Sequence, residues 1–245
     1  MKTLAKFALL HGWATDPGIW QSVEAELESV GCPVRLYEMP GYGSRHPESG
    51  TISFSELVDD AIEQLSGVDV WIGWSLGAMV SLAAASRYPG LLRGVFAVSA
   101  TSKFCCDEEK ELALTQLRSS VEKDPAKAVK RFHRSMPAPN HRREVTKQLA
   151  DLDAPAKETL LAGLDMLLRT DLSGEVNKIT CPTTIVSGEQ DQIIPASSGE
   201  SLQQLIAGSQ YTALPCGHLP FLECHQKFME QLFEFARTNS TSTAD

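Results

Sequence analysis

Three residues of this 245-residue chain could act together as a nucleophile, a general base and an orienting acid. Ser75 lies in Gly73–Gly77, a G-x-S-x-G pattern between an apolar run and a helical pattern. A serine hydroxyl is a poor nucleophile unless a base takes its proton and an acid orients that base. Asp191 and His218 follow in the order serine, acid, histidine, each after a predicted strand. The sequence therefore predicts nucleophilic catalysis by Ser75, with Glu189, on the same loop as Asp191, as an alternative acid.

A second group of residues could stabilise the negative charge that develops on an attacked carbonyl. Such an oxyanion needs two preorganised N–H donors, each contributing about 3–4 kcal/mol to the transition state. We predict the backbone N–H of Leu76, which follows the nucleophile, and that of Trp13, in the loop after the first strand. His11, in the same loop, is expected to orient it rather than to act as a base. The remaining histidines are expected at the surface: His46, His133, His141 and His225.

Catalytic residues on separate loops can meet only if the strands before those loops end at the same edge of a sheet. Short apolar strands alternate with helical patterns, which predicts a parallel sheet with helices on both faces. Between residues 107 and 172 four helical stretches follow one another without a strand, which predicts an all-helical insertion over one end of the sheet. The predicted strands are 5–10, 34–39, 68–72, 92–98, 183–187 and 210–214, and the predicted helices outside the insertion are 22–30, 53–65, 76–88, 197–206 and 221–237.

The same alternation suggests how the chain is divided. Residues 1–104 and 173–237 are predicted to form the two parts of one α/β core. Residues 105–172 are predicted to form a helical cap, and residues 238–245 a flexible polar tail.

Composition excludes several classes of protein. The formal charge of −9 argues against a general nucleic-acid binder and against a membrane-surface protein. No apolar run approaches the roughly 18 residues of a membrane span, and the N-terminus lacks the apolar core of a signal peptide. The six cysteines have no spacing suited to zinc, and no phosphate loop or dinucleotide fingerprint occurs. We therefore expect a cytoplasmic, monomeric protein that works without metal or cofactor.

The chain resembles the α/β-hydrolases with a helical cap over essentially its whole length. More narrowly, it is similar to the pimeloyl-acyl carrier protein methyl ester esterases of biotin synthesis. The motifs that carry this resemblance are Leu10-His11-Gly12-Trp13 with Trp20 soon after, Trp71-Ile72-Gly73-Trp74-Ser75-Leu76-Gly77, and Gly163-Leu164 to Thr170-Asp171-Leu172.

The resemblance implies an α/β-hydrolase fold in which Ser75 is the nucleophile, Asp191 the acid and His218 the base. It implies that Trp13 and Leu76 donate to the oxyanion. It also implies that one segment of the cap lines the substrate channel, namely Phe132, His133, Arg134, Ser135 and Met136. The activity implied is hydrolysis of a methyl ester carried by an acyl carrier protein, through an acyl-enzyme.

An acidic carrier protein would need a basic surface, and one stretch of the chain is basic. Residues 123–147 contain eight Lys or Arg against two acidic residues, a local charge of +6 that leaves −15 for the rest. Lys127, Arg131 and Arg134 recur at helical spacing and so share a face. A solvated helix would also explain this pattern, but steering of an acidic partner is the sharper hypothesis. The predicted carrier-binding residues are Lys127, Arg131, Arg134, Arg142 and Arg143.

Three other functions stay open at this point. The chain could be a broad short-chain esterase or thioesterase without a carrier partner. It could catalyse a different reaction of the same fold, such as carbon–carbon bond hydrolysis or a lyase reaction. It could also be a ligand-binding protein without catalysis, which an intact triad disfavours.

Overall fold

The computed structural model describes residues 5–48, 52–152 and 155–240. Within these residues six strands form one sheet. The strands are β1 (Phe7–Leu10), β2 (Val34–Tyr37), β3 (Val70–Trp74), β4 (Gly94–Val98), β5 (Thr183–Gly188) and β6 (Gln210–Leu214).

Helices follow the strands or lie between β4 and β5. Those of the core are α1 (Gln21–Ser29), α2 (Phe54–Gln64), α3 (Leu76–Arg87), α8 (Ala196–Leu205), α9 (Pro220–Glu223) and α10 (His225–Ser240). Those between β4 and β5 are α4 (Glu108–Lys123), α5 (Pro125–Ser135), α6 (Arg142–Leu149) and α7 (Lys157–Arg169). None of the described helices is long and apolar enough to cross a membrane.

The sheet has the strand order β2-β1-β3-β4-β5-β6, and every neighbouring pair is parallel. The predicted α/β class with a parallel sheet is thereby confirmed. Two hydrophobic clusters cover the sheet, and alternate residues of β1 enter different clusters: Ala8 and Leu10 one, Phe7 and Leu9 the other. In β1, β3 and β4 every residue is buried, which explains why these strands are continuous apolar runs. All six carboxyl ends lie at one edge, where ligands bind in sheets of this kind.

The segment that contains the four helices between β4 and β5 begins and ends at neighbouring positions beside the sheet. Lys103 and Asp171 form an antiparallel bridge, and their Nζ and Oδ2 atoms lie 3.0 Å apart. Next to this bridge the N–H of Leu172 donates to the carbonyl of Ser102. In this segment α4 packs against α5 and α7, and α5 packs against α6.

The C-terminal helix differs from its prediction. Instead of one helix over 221–237, two helices, α9 and α10, are separated at Cys224, whose φ of −128° and ψ of 43° are not helical. Phe221 and Phe228, on either side of the break, pack against each other in the same core, so the apolar pattern does not reveal it. Helix α10 also continues three residues beyond Arg237, into the predicted tail, and residues 241–245 lie outside the described residues.

Candidate active site

Ser75 occupies a sharp turn between β3 and α3. Its φ of 55° and ψ of −116° are values that side-chain-bearing residues rarely adopt, so the surrounding packing must hold them. A Cβ atom at Gly73 would overlap the carbonyl oxygen of Gly77, and one at Gly77 would overlap that of Leu10. The close approach of strand, turn and helix therefore requires both glycines of the motif. The turn places Ser75 at the N-terminus of α3, where the helix dipole favours negative charge.

The loop after β1 lies directly against this turn. A Cβ atom at Gly12 would be 3.2 Å from the Cβ of Ser75. The next residue, Trp13, is fixed because its indole Nε1 donates to the carbonyl of Leu160 in α7, at 2.9 Å. Within the part of the chain that the structure describes, the N–H groups of Trp13 and Leu76 donate to no protein acceptor. Two backbone donors are therefore available near Ser75, as an oxyanion requires.

His218 and Asp191 form a buried pair. His218 Nδ1 and Asp191 Oδ2 lie 2.6 Å apart, and both side chains are inaccessible to solvent. Because an ionised carboxylate can only accept, the bond assigns the proton to Nδ1 and leaves a lone pair on Nε2. This Nε2 atom has no hydrogen-bond partner among the described residues. An imidazole nitrogen in this state can accept a proton from a nucleophile.

Asp191, and not Glu189, is the carboxylate that reaches the histidine. Asp191 Oδ1 accepts hydrogen bonds from the N–H groups of Ile193 and Ile194, at 2.8 and 2.9 Å, while Oδ2 faces His218. These bonds fix the orientation of the carboxylate. Glu189, two residues earlier in the same loop, is exposed.

Three hydrogen bonds fix the main chain of His218. The indole Nε1 of Trp74 and the hydroxyl of Ser99 both donate to its carbonyl, at 2.8 and 3.1 Å. Its N–H donates to the carbonyl of Met136 at 2.8 Å. Trp74 also packs against the imidazole, with ring centroids 5.3 Å apart, and thereby connects the nucleophile turn to the histidine loop. Ser99 was not among the predicted residues, although its place directly after β4 could have indicated it.

His11 is buried in the loop after β1. Its Nε2 accepts from the N–H of Met39 at 3.2 Å, so that Nδ1 carries the proton and donates to the carbonyl of Gly12 at 2.9 Å. Burial lowers the pKa of His11 to about 4, although its hydrogen bond to Gly12 acts in the opposite direction. The imidazole is therefore neutral at pH 7 and holds the loop from inside.

The buried state of His11 predicts that acid destabilises the protein through this residue. An unfolded chain protonates histidine near pH 6.5 but the folded chain only near pH 4. The unfolded state thus binds more protons in this window, and stability falls as pH decreases through it, by at most about 3 kcal/mol from His11. Chemical denaturation at pH 7 and 4.5 should show a larger loss for the wild type than for His11→Gln. Equal losses in the two proteins would contradict the prediction.

A cavity of about 360 Å³ lies beside Ser75, between the sheet edge and the helices of residues 105–172. Its walls are mostly apolar, and its cationic groups are Lys110 and Arg131. Lys110, which the sequence analysis did not single out, donates from Nζ to the carbonyl of Ile193 at 2.8 Å. The lining residues are Trp13, Ser75, Phe104, Lys110, Ala113, Leu114, Leu117, Arg131, Phe132, Ser135, Leu164, Leu167, Gln192 and Ile193.

Of the five residues predicted to line a substrate channel, two face this cavity. Phe132 and Ser135 do so because they lie three positions apart on one face of α5. Met136 is buried in the core, and Arg134 is exposed. His133 is also buried, and its Nε2 lies 2.8 Å from the carbonyl of Ala14, so that it must donate there. Of the five residues, His133, Arg134 and Met136 do not line this cavity.

His133 also corrects the expectation that four histidines lie at the surface. Burial lowers its pKa, against the hydrogen bond to Ala14. His46 is exposed, whereas His141 and His225 are half-buried. His225 Nε2 lies 2.6 Å from Glu26 Oε1, an interaction between α10 and α1 that the sequence could not indicate.

The predicted carrier-binding residues are all exposed, and three of them share a groove of about 540 Å³ between α4 and α5. These three are Lys127, Arg131 and Arg134, whereas Arg142 and Arg143 lie on α6, outside the groove. Arg131 lines both the groove and the cavity beside Ser75. The complete lining of the groove is Ser120, Lys123, Asp124, Lys127, Ala128, Lys130, Arg131 and Arg134.

No group of three or more His, Cys, Asp or Glu side chains among the described residues is arranged to hold a metal ion. The six cysteines are all unpaired thiols. The arrangement around Ser75 thus contains a hydroxyl, an imidazole bonded to a carboxylate and two backbone N–H donors, the groups that acyl transfer requires.

Comparison with known proteins identifies similar sequences. Residues 7–231 match the model of the alpha/beta hydrolase family. A pimeloyl-[acyl-carrier protein] methyl ester esterase from Nitrosospira multiformis is 30% identical, over 94% of this chain and 93% of its own length. An esterase of the same name from Vibrio vulnificus is 27% identical, over 93% of this chain and 92% of its own length. The resemblance inferred from the motifs is thereby confirmed.

Solved structures of low sequence identity have the same fold. A thermophilic esterase from Thermogutta terrifontis superposes with a TM-score of 0.85 at 23% identity, covering 98% of this chain and 92% of that chain. An enol-lactonase from Burkholderia xenovorans LB400 superposes with a TM-score of 0.84 at 21% identity, covering 95% of this chain and 91% of that chain.

Proposed function

The chain belongs to the α/β-hydrolase family and is a carboxylic ester hydrolase, and from this premise we propose that it cleaves the methyl ester of pimeloyl-acyl carrier protein in biotin synthesis. The observation that carries the serine mechanism is the buried pair of His218 and Asp191, whose Nε2 is unpartnered among the described residues. The names of the relatives support the substrate.

In the proposed reaction His218 Nε2 takes the proton of the Ser75 hydroxyl as its oxygen attacks the ester carbonyl. The tetrahedral intermediate collapses, and His218 returns the proton to the methoxy oxygen, so that methanol leaves and an acyl-enzyme remains. A water molecule, deprotonated by His218, then attacks the acyl carbonyl. As the bond from the acyl carbon to Ser75 Oγ breaks, His218 returns the proton to Oγ, which releases the free acid and restores Ser75. Asp191 keeps the imidazole in the tautomer that can accept the proton and stabilises its charged form.

The N–H groups of Trp13 and Leu76 hold the oxyanion in both steps. The loop after β1, which carries Trp13, is hydrogen-bonded to two cap helices, by the Trp13–Leu160 bond and by the bond between His133 and Ala14. These contacts support a preorganised site, because the donors need no rearrangement when charge develops on the substrate.

The cavity suits a substrate with a methylene chain. Apolar side chains such as Phe104, Leu114 and Leu164 can cover the methylene groups while the ester carbonyl lies at Ser75. Arg131 is shared by this cavity and the basic groove, so a chain that leaves the cavity there emerges beside exposed cations. This arrangement supports the helical cap as the docking surface for an acidic carrier.

We predict that carrier docking depends on charge. Lys127→Glu combined with Arg134→Glu should lower kcat/KM for a pimeloyl-carrier methyl ester by about tenfold or more, because like charges oppose association. The wild-type value should also fall as sodium chloride rises from 50 to 500 mM, since salt screens exposed charges. Both quantities are obtained from initial rates of product formation, followed by mass spectrometry of the carrier.

A matched control distinguishes an effect on carrier docking from an effect of the protein's net charge. Lys178→Glu with Lys227→Glu changes the net charge equally at exposed positions outside the groove and the cavity, and should leave kcat/KM almost unchanged. Hydrolysis of p-nitrophenyl butyrate should not respond to either pair. Carrier-ester rates that ignore both salt and the groove substitutions would favour the alternative, a broad short-chain esterase or thioesterase without a carrier partner.

The physiological role is tested by complementation. Expression of the chain should restore growth without biotin in a bacterium that lacks its pimeloyl-carrier methyl ester esterase, and the Ser75→Ala variant should not. Growth with both proteins, or with neither when both are soluble and abundant, would argue against the proposed substrate.

A further inference from the structure

Glu223 is a buried carboxylate for which the proposed reaction has no use. It is the last residue of α9, only 7% exposed, and forms no ion pair among the described residues. Its oxygens instead accept three backbone hydrogen bonds. Oε2 accepts from the N–H groups of Ala138 and Gly217, at 2.7 and 2.9 Å, and Oε1 accepts from that of Leu219 at 3.1 Å. A charge is tolerated at such a depth only when it is compensated by donors of this kind.

Two of these three donors flank the proposed base. Gly217 and Leu219 are the residues before and after His218, so one carboxylate holds the main chain on both sides of the imidazole. The third donor, Ala138, belongs to the connection between α5 and α6. The same connection accepts the N–H of His218 at Met136.

The two loops are in direct contact where Glu223 holds them. A Cβ atom at Gly217 would lie 2.5 Å from the nitrogen of Ala138 and 2.6 Å from the carbonyl oxygen of Met136. No residue larger than glycine fits there, so the two loops pack main chain against main chain. The bonds between them help to fix their relative position. Glu223 is the side chain that bonds to both.

We propose that Glu223 is a positioning residue for His218, which fixes the histidine loop against the α5–α6 connection and so holds Nε2 in place to accept the proton of Ser75. The inference rests on the proposed serine mechanism. A carboxylate is needed because both of its oxygens act as acceptors. A glutamine has one acceptor oxygen, and its amide group would face an N–H donor on the other side.

The test is the Glu223→Gln variant assayed with p-nitrophenyl butyrate. Because a displacement of about 1 Å in a reacting group can reduce the rate by about 10²-fold, we expect kcat to fall by about 10- to 100-fold. KM should stay within about twofold, since Glu223 does not line the cavity. Labelling of Ser75 by a fluorophosphonate should slow in parallel, because it also requires the base. A residue that only stabilised the fold would change the melting temperature without this selective loss of kcat.

Controls keep the outcome decisive. Glu234→Gln, an exposed position on α10, should retain wild-type kinetics. If Glu223→Gln does not fold, Glu223→Asp is measured by the same criteria, since it keeps the charge but is one methylene shorter. A folded variant with kcat within twofold of the wild type would overturn the inference. If instead the wild type is not labelled at Ser75, the proposed serine mechanism itself fails.

Discussion

Ser75→Ala is expected to lose almost all esterase activity, with kcat falling by about 10⁴- to 10⁶-fold. Without the hydroxyl, His218 has no nucleophile to deprotonate, and only binding and the oxyanion donors remain. The fold should persist, because alanine keeps the Cβ atom and therefore the same backbone strain at a φ of 55°. The measurement is kcat for p-nitrophenyl butyrate, together with circular dichroism and thermal unfolding of the same preparations.

Ser86→Ala is the matched control for this variant. Ser86 is also buried on α3, but its hydroxyl donates only to the carbonyl of Ala83 within the helix. It should retain wild-type kcat and fluorophosphonate labelling, whereas Ser75→Ala should not be labelled. Residual activity of Ser75→Ala above about 1%, with the fold intact, would refute Ser75 as the nucleophile.

The elements that position Ser75 could be predicted because local and global signals agree. The helix predicted over 53–65 is present at Phe54–Gln64, and a reciprocal cap between Ser53 and Glu56 begins it. Every end of every strand lies within two residues of its prediction, since a short apolar run between turn residues is typical of a buried strand.

Choices that depend on which way a side chain points could not be made from the sequence. Asp191 and Glu189 lie in one loop with the same chemistry, and only the turn that brings Ile193 and Ile194 back to Asp191 separates them. Residues 132–136, at the C-terminal end of α5, were predicted to line a channel, but helical backbone turns each residue by about 100° relative to the last. Phe132 and Ser135 therefore face the cavity, while the other three do not.

Residues that act through main-chain contacts left no sequence signal. Glu223 resembles any acidic residue near a helix end until its three backbone donors are seen. His133 looked like one member of a basic surface helix, yet it is buried against Ala14. Through His133 and Ala14 the segment between β4 and β5 is bonded to the loop of the proposed oxyanion donor. Through Ala138 and Glu223 the same segment is connected to the loop of the proposed base. We therefore infer that this segment supports the catalytic geometry as well as covering the cavity.

Asp191→Asn is expected to reduce kcat by about 10⁴-fold while the side chain keeps its shape and place. Its oxygen should occupy the position of Oδ1, because only an acceptor can meet the N–H groups of Ile193 and Ile194. The amide NH₂ then faces His218 Nδ1, which must become the acceptor, so that the proton moves to Nε2. With its lone pair gone from Nε2, His218 cannot take the proton of Ser75.

Glu189→Gln is the control that makes this prediction specific, since it removes the rival carboxylate from the same loop. Glu189 is exposed, so its loss should leave kcat within twofold of the wild type. Steady-state kinetics with p-nitrophenyl butyrate measure both variants, and denaturation establishes that both are folded. A loss of activity in Glu189→Gln, with Asp191→Asn nearly unaffected, would transfer the role of the acid to Glu189 and contradict the bond on which the assignment rests. The expected order, with Asp191→Asn inactive and Glu189→Gln active, follows from one distance: the 2.6 Å between His218 Nδ1 and Asp191 Oδ2.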